Sequence, residues 1–115
     1  MTIEIWHNPR CSKSRETLAL LEQKNISANV FLYLDEKPNA KTIKTVLSKL
    51  GITPRELLRN SEDAYKAQNL KDKTLTDDAL INAMVNEPKL IQRPIVINGD
   101  QARLGRPPED VLEIL

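Results

Sequence analysis

Two patterns of hydrophobic residues alternate along the first half of the chain. Alternating β-branched residues predict strands, whereas apolar residues three and four positions apart predict amphipathic helices. The elements predicted in this way are a strand over residues 2–6, a helix over about 13–24, a strand over 28–33 and a helix over 40–50. Asn39 can cap the last helix, and Gly51 can end it in the left-handed conformation. This order predicts a parallel βαβ start.

The second half predicts short helices and then a hairpin with a final helix. The predicted elements are a turn from Pro54, a short helix over 62–68, a helix from Thr76 that Pro88 closes, strands over 94–97 and 101–105, and a helix from Pro107. Asn98-Gly99 between the two strands is typical of a hairpin turn. We therefore predict one α/β domain over residues 1–115. The helices of the middle segment are expected to form an insertion between the βαβα and ββα parts.

This order of elements resembles the thioredoxin-like (glutaredoxin-like) fold. That resemblance implies a central four-stranded mixed sheet flanked by helices. It also implies a reactive thiol after the first strand and a cis-proline immediately before the third. Pro94 holds the second of these positions, since it precedes Ile95-Val96-Ile97. X-Pro bonds adopt the cis form at low cost, so a cis Pro94 is one hypothesis. The other is a trans proline at the edge of a strand.

Composition narrows the class of protein. The chain has 115 residues, 40% of them hydrophobic and 29% charged, with a formal net charge of +1. This balance gives no reason to expect a nucleic-acid or membrane partner, and no apolar run approaches the roughly 18–20 residues of a membrane span. A single cysteine excludes a disulfide framework and favours a cytoplasmic location. Neither a metal-binding His/Cys cluster nor a glycine-rich phosphate loop is present.

That single cysteine, Cys11, lies where the first strand passes into the first helix. Unpaired N–H groups and the positive end of the helix dipole at this position favour a thiolate over a thiol. We therefore predict that Cys11 is a nucleophile of lowered pKa. Because the chain has no second cysteine, an oxidised Cys11 requires a thiol from another molecule.

Two neighbours of Cys11 each allow two interpretations. His7 either tunes or orients the thiol, or it simply caps the loop at the end of the strand. Ser14 either offers its hydroxyl to the thiolate or is an ordinary serine in the first turn of a helix.

Four segments together resemble the glutaredoxin-linked arsenate reductase family, and the resemblance covers nearly the whole chain. The segments are His7-Asn8-Pro9-x-Cys11-x-x-Ser14-Arg15, Leu57-Leu58-Arg59, Asn86-Glu87-Pro88 through Arg93-Pro94-Ile95-Val96, and Arg103-Leu104-x-Arg106-Pro107. The resemblance implies that Cys11 attacks arsenate or a similar oxyanion, which Arg59, Arg93 and Arg106 hold. It also implies no bound cofactor, with glutathione as the external reductant and glutaredoxin as the partner that completes the cycle. Arg103 is predicted to be a surface residue of a strand.

Two other functions remain compatible with these residues. The spacing Cys11-x-x-Ser14 also fits a glutathione-linked thiol-disulfide oxidoreductase with another substrate, whose arginines bind the carboxylates of glutathione. A non-catalytic regulatory protein of the same fold is the third hypothesis. The complete set of three arginines disfavours it.

Overall fold

The computed structural model describes residues 2–115. Strands and helices alternate at both ends of this range, and helices fill its middle. The elements are β1 (Ile3–Trp6), α1 (Ser12–Gln23), β2 (Asn29–Phe31), α2 (Tyr33–Glu36), α3 (Ala40–Leu50), α4 (Pro54–Leu57), α5 (Asp63–Ala67), α6 (Asp77–Asn86), a 3₁₀ helix (Pro88–Leu90), β3 (Ile95–Asn98), β4 (Gln101–Leu104) and a final 3₁₀ helix (Pro108–Ile114). These elements form two compact units, one made of the two ends of the chain and one made of Lys37–Gln92.

The first unit contains a four-stranded mixed sheet in the order β2-β1-β3-β4. β1 pairs in parallel with β2 and antiparallel with β3, and β3 pairs antiparallel with β4. Helix α1 and the final 3₁₀ helix pack against each other. The mixed sheet and its helices have the thioredoxin-like arrangement that the order of elements predicted.

The core of this unit explains why the apolar pattern folds in this way. Alternate residues of the central strands lie on the same face of the sheet, so their side chains meet the helices that cover it. The core cluster consists of Ile3, Ile5, Leu21, Val96, Val111 and Ile114, with Leu18, Leu20, Ile26 and Ala28 packed around it. On β1 the aromatic ring of Trp6 is stacked on that of Tyr33, with 6.2 Å between the ring centroids.

The second unit is helical, and its helices begin and end with local signals. Asn39 accepts a hydrogen bond from the N–H of Thr42 at the start of α3, and Gly51 ends that helix with φ +70°. Thr53 and Glu56 form a capping box on α4. Helices α3 and α4 both pack against α6. The buried side chains here include Ile43, Val46, Leu47, Leu57, Leu80, Ile81, Met84 and Leu90.

Two details of the predicted elements are wrong. The second strand ends at Phe31, because the buried Tyr33 begins a helical turn. At the start of this turn the N–H of Leu32 donates to Glu36 Oε2 at 2.9 Å. The hairpin loop is Gly99-Asp100, because Asn98 pairs with Gln101 and belongs to the strand. Glycine with positive φ at the first loop position, here +61°, is typical of a type II′ hairpin turn.

Within residues 2–115, no helix has the length and apolar character needed to cross a membrane.

Candidate active site

Cys11 occupies the N-cap position of α1, immediately after the loop that leaves β1. Its backbone is extended, with φ −95° and ψ 124°, and its carbonyl accepts the first hydrogen bond of the helix from the N–H of Arg15. The Cys11 N–H donates to the carbonyl of Asn8 at 3.0 Å. The thiol is partly exposed and forms no disulfide. Cys11 is therefore held at the open start of a helix and remains accessible to a small reactant.

Opposing effects act on the pKa of Cys11, and the donors prevail. Burial raises the pKa of the thiol, whereas hydrogen bonds from the N–H of Ser14, from the Arg93 side chain and from the N–H of Lys13 lower it. The positive charge of Arg93 lowers the pKa further. The net result is a pKa below the ordinary value for cysteine, so the thiolate is favoured. The direction of this shift is the one predicted for Cys11, while its role as a nucleophile stays a prediction.

His7 and Ser14 form a buried pair beneath the loop. The distance from His7 Nδ1 to Ser14 Oγ is 2.6 Å, and the N–H of Asn8 donates to the same oxygen at 3.0 Å. Burial, followed by the charge of Arg15, lowers the pKa of His7, so the ring is neutral near pH 7 and has an acceptor nitrogen. The Ser14 hydroxyl is thus engaged by His7 and Asn8, while its backbone N–H reaches the sulfur. Ser14 therefore fits neither interpretation fully. It is the backbone N–H and not the hydroxyl that bonds to the thiol, and the hydroxyl has partners that an ordinary serine of a first turn lacks.

Arg93, Pro94 and Arg106 come together at the start of β3. The Arg93–Pro94 peptide bond is cis, as one of the two hypotheses for Pro94 states, and the Arg106–Pro107 bond is cis as well. Arg106 Nη1 donates to the carbonyl of Arg93 at 3.0 Å. The Arg93 side chain forms a hydrogen bond with Cys11, and the Arg93 carbonyl accepts one from Arg106. These three residues of the first unit are therefore linked by hydrogen bonds. Arg106 is exposed, and this hydrogen bond uses one of the five N–H groups of its guanidinium.

Comparisons with known proteins find similar chains over nearly the whole sequence. The sequence model of the ArsC family matches residues 6–114. The chain belongs to the ArsC family. An Escherichia coli (strain K12) protein, "Uncharacterized protein YfgD", is 53% identical, and the alignment covers 98% of this chain and 96% of that protein.

Two further relatives carry names that describe an activity. The Haemophilus influenzae protein named "Arsenate reductase" is 48% identical over the full length of both chains. The solved structure "Arsenate reductase from Vibrio cholerae" is 52% identical and superimposes with a TM-score of 0.98, covering 100% of this chain and 98% of that chain.

Of the three arginines predicted to bind substrate in this ArsC chain, Arg59 belongs to the second unit. Its side chain is 17% exposed, and its Nε lies 3.5 Å from Glu62 Oε1. Its backbone N–H donates to the carbonyl of Leu90 at 2.7 Å. The role of Arg59 toward an oxyanion stays a prediction.

Arg103 behaves as the sequence indicated. It lies on β4, its side chain is 36% exposed, and its Nε donates to Glu113 Oε2 at 3.0 Å. This ion pair directs the guanidinium of Arg103 to the final 3₁₀ helix, and none of the donors to Cys11 comes from it.

Gly105 lies against Pro94 in this ArsC chain, a contact that the sequence pattern did not predict. Its N–H donates to the carbonyl of Pro94 at 2.9 Å, and an added Cβ would collide with Pro94 and Thr17. Its place between Leu104 and Arg106, at the end of a predicted strand, was the available signal. Among the described residues, no three His, Cys, Asp or Glu side chains are grouped so as to hold a metal ion.

Proposed function

We propose that this ArsC chain reduces arsenate, with Cys11 as the nucleophile and Arg59, Arg93 and Arg106 as the groups that hold the oxyanion. The observation that carries the proposal is the contact of the Arg93 guanidinium with the Cys11 sulfur at the start of α1. The names of the relatives from Haemophilus influenzae and Vibrio cholerae support the choice of arsenate.

Electrostatics explain why an arginine must stand beside this thiol. A thiolate and arsenate are both negative, so they repel each other as they approach. A guanidinium is always protonated and donates two parallel hydrogen bonds to an oxyanion. Each charge-assisted hydrogen bond contributes about 1.5–3 kcal/mol. Arg93 therefore stabilises the thiolate first and is already in place to bind the incoming anion.

The proposed reaction transfers two electrons from two thiols to arsenic. The Cys11 thiolate attacks As(V), an S–As bond forms, and one oxygen leaves as water after protonation. Glutathione then joins the arsenic through its own sulfur, displacing a second oxygen as water. Formation of an S–S bond between Cys11 and glutathione breaks both S–As bonds and leaves an electron pair on arsenic. Arsenic is thereby reduced to As(III), which takes up water and leaves as arsenite.

Glutathione and glutaredoxin are part of this proposal because the chain has one cysteine. The mixed disulfide on Cys11 has no internal thiol to resolve it, so a glutaredoxin thiolate attacks the glutathione sulfur and releases Cys11. Such a cycle needs a reducing compartment rich in glutathione, which the cytoplasm provides.

The direct test is arsenite production by the purified protein supplied with arsenate, glutathione and a glutaredoxin. We expect arsenite to form, and Cys11→Ser to abolish it. Arg93→Ala and Arg106→Ala should raise the KM for arsenate, because each removes a donor to the anion. Arg103→Ala is the matched control and should behave like the wild type, since Arg103 is paired with Glu113.

Protection of the thiol provides a second and independent measurement. Arsenate should slow the alkylation of Cys11, and it should do so less in Arg93→Ala. Absence of both arsenite and protection would contradict the proposal. Rapid reduction of a mixed glutathione disulfide under those conditions would instead favour the thiol-disulfide oxidoreductase.

A further inference from the structure

Asn8 is the centre of the hydrogen-bond network that shapes the Cys11 loop. Its side chain is buried, with 8% of the residue exposed. Asn8 Oδ1 accepts from the N–H of Arg10 at 3.0 Å, and Asn8 O accepts from the N–H of Cys11 at 3.0 Å. The N–H of Asn8 donates to Ser14 Oγ at 3.0 Å. One residue therefore contacts the loop on both sides of the reactive thiol.

This network decides which backbone N–H groups face the sulfur. The N–H groups of Arg10 and Cys11 turn back toward Asn8, so they do not point at Sγ. The N–H groups of Lys13 and Ser14, one helical step further on, are the ones that donate to Sγ. An asparagine that accepts from the N–H two residues ahead forms an Asx turn, which mimics a backbone turn. The turn thus places Cys11 ahead of the first helical N–H groups.

A second contact holds the same loop from the helix side. Arg15 Nη1 donates to the carbonyl of Pro9 at 2.9 Å. Pro9 has no N–H and a restricted φ, so the loop segment between Asn8 and Cys11 has one backbone donor fewer with which to form stabilising hydrogen bonds. Pro9 and Arg10 are exposed, and packing alone therefore does not fix them.

We propose that Asn8 is a positioning residue for Cys11: its side-chain oxygen fixes the turn that presents the sulfur to the N–H groups of Lys13 and Ser14. The hydrogen bonds of Asn8 described above go to the N–H groups of Arg10 and Cys11 and to Ser14 Oγ, so Asn8 acts on the sulfur through the loop that carries it. The catalytic part of this inference rests on the proposed arsenate reduction. The part that concerns the thiol does not, since it holds for any chemistry at Cys11.

The test compares Asn8→Ala with Asn8→Ser, and the readout is the pH dependence of Cys11 alkylation. Alanine removes the acceptor and leaves the Arg10 N–H unpaired, whereas serine keeps a weaker acceptor. Arg93, whose charge acts on the sulfur, stays unchanged in both variants, as do the charged neighbours of Cys11 in the sequence, Arg10, Lys13 and Arg15. We expect Asn8→Ala to raise the pKa of Cys11 and to slow alkylation at about pH 6 by about tenfold, the size of one charge-assisted hydrogen bond. Asn8→Ser should fall between Asn8→Ala and the wild type.

Asn39→Ala is the matched control for a loss of stability without a loss of positioning. Asn39 also accepts a backbone N–H, that of Thr42 at 2.8 Å, but it caps α3 in the second unit. Asn39→Ala should therefore lower the melting temperature and leave the alkylation profile unchanged. If Asn8→Ala does not fold, the comparison of Asn8→Ser with the wild type decides.

Two results would overturn the inference. One is an alkylation profile of the Asn8 variants that matches the wild type. The other is a shift in Asn39→Ala as large as that in Asn8→Ala, which would make the effect one of general stability. Arsenate turnover is measured in parallel, and Asn8→Ala should lower kcat with little change in KM. A wild type without arsenate turnover would refute the proposed function, while the alkylation profiles would still decide the role of Asn8.

Discussion

Replacing Gly105 by alanine should damage both the stability of the first unit and the thiol site. A Cβ on Gly105 would lie 2.5 Å from Thr17 Oγ1 and 2.7 Å from Pro94 Cγ. Contacts between such atoms are normally about 3.5–4.0 Å, so the neighbours must move by roughly 1 Å. Neither can do so easily. Thr17 is fully buried and its hydroxyl donates to the carbonyl of Lys13, while Pro94 is a buried ring.

The expected cost follows from these two contacts. Overpacking a well-filled core costs about 1–3 kcal/mol, and two rigid neighbours place Gly105→Ala near the upper end. About 3 kcal/mol corresponds to a fall in Tm of roughly 10 °C or more for a chain of this size. Movement of Pro94 also shifts Arg93, its neighbour in sequence. The variant should therefore raise the pKa of Cys11 as well.

Urea unfolding followed by the fluorescence of Trp6 measures the first effect, because Trp6 is the chain's single tryptophan and is buried. Gly99→Ala is the matched control. Gly99 has φ +61° and open space around its Cβ position, so alanine there costs about 1–2 kcal/mol in backbone conformation alone. Thr17→Ala removes two of the three colliding atoms, and the double variant should lose less stability than the sum of the single variants. Equal losses in Gly105→Ala and Gly99→Ala would refute the reasoning.

The remaining predictions concern charge and capping. Arg93→Ala should raise the pKa of Cys11 and slow its alkylation at about pH 6, and Arg93→Lys should recover only part of the rate, because a lysine supplies a charge without the planar fork. The pKa of Cys11 is lower in the folded chain than in the unfolded chain, so the thiolate stabilises the fold at pH values above the pKa of the unfolded thiol. This contribution disappears as the pH falls through the pKa of the folded thiol. The free energy of unfolding of Cys11→Ser should lack this pH dependence. The unfolded chain protonates His7 near pH 6.5, whereas the folded chain keeps it neutral to lower pH, so stability should fall as the pH drops below about 6.5. His7→Asn should flatten that slope. Asn39→Ala should lower the free energy of unfolding by about 1 kcal/mol in urea titrations, since it removes the cap of α3.

Local chemistry accounts for the parts of the fold that the sequence predicted well. The cap at Asn39, the start of a helix at Thr76 and the left-handed Gly51 depend on a few neighbouring residues, and all three lie where they were expected. The helices over 12–23 and 77–86 follow directly from apolar spacing. Cys11 could be placed at the start of a helix for the same reason, since a strand and a helix flank it in the sequence.

Contacts over long distances in the sequence account for what could not be predicted. The turn at Tyr33 depends on stacking against Trp6, and the hairpin loop depends on the register of Asn98 with Gln101. Neither the ring contact nor the register is visible in the local pattern. The predicted strand ends and the predicted turn position were therefore wrong by a few residues, although the strands themselves were predicted correctly.

The sequence by itself determined that this protein has one thiol and that it lies at a strand-to-helix junction, because a single cysteine and the periodicity on either side of it are local properties. Only the tertiary structure decided which groups surround that thiol. Arg93 reaches the sulfur because β3 pairs with β1, and the Ser14 hydroxyl turns to His7 because both are buried under the same loop. Residues 11 and 93 are 82 positions apart in the sequence, and the pairing of the strands brings them together. Patterns that span only a few residues cannot predict a contact over this separation.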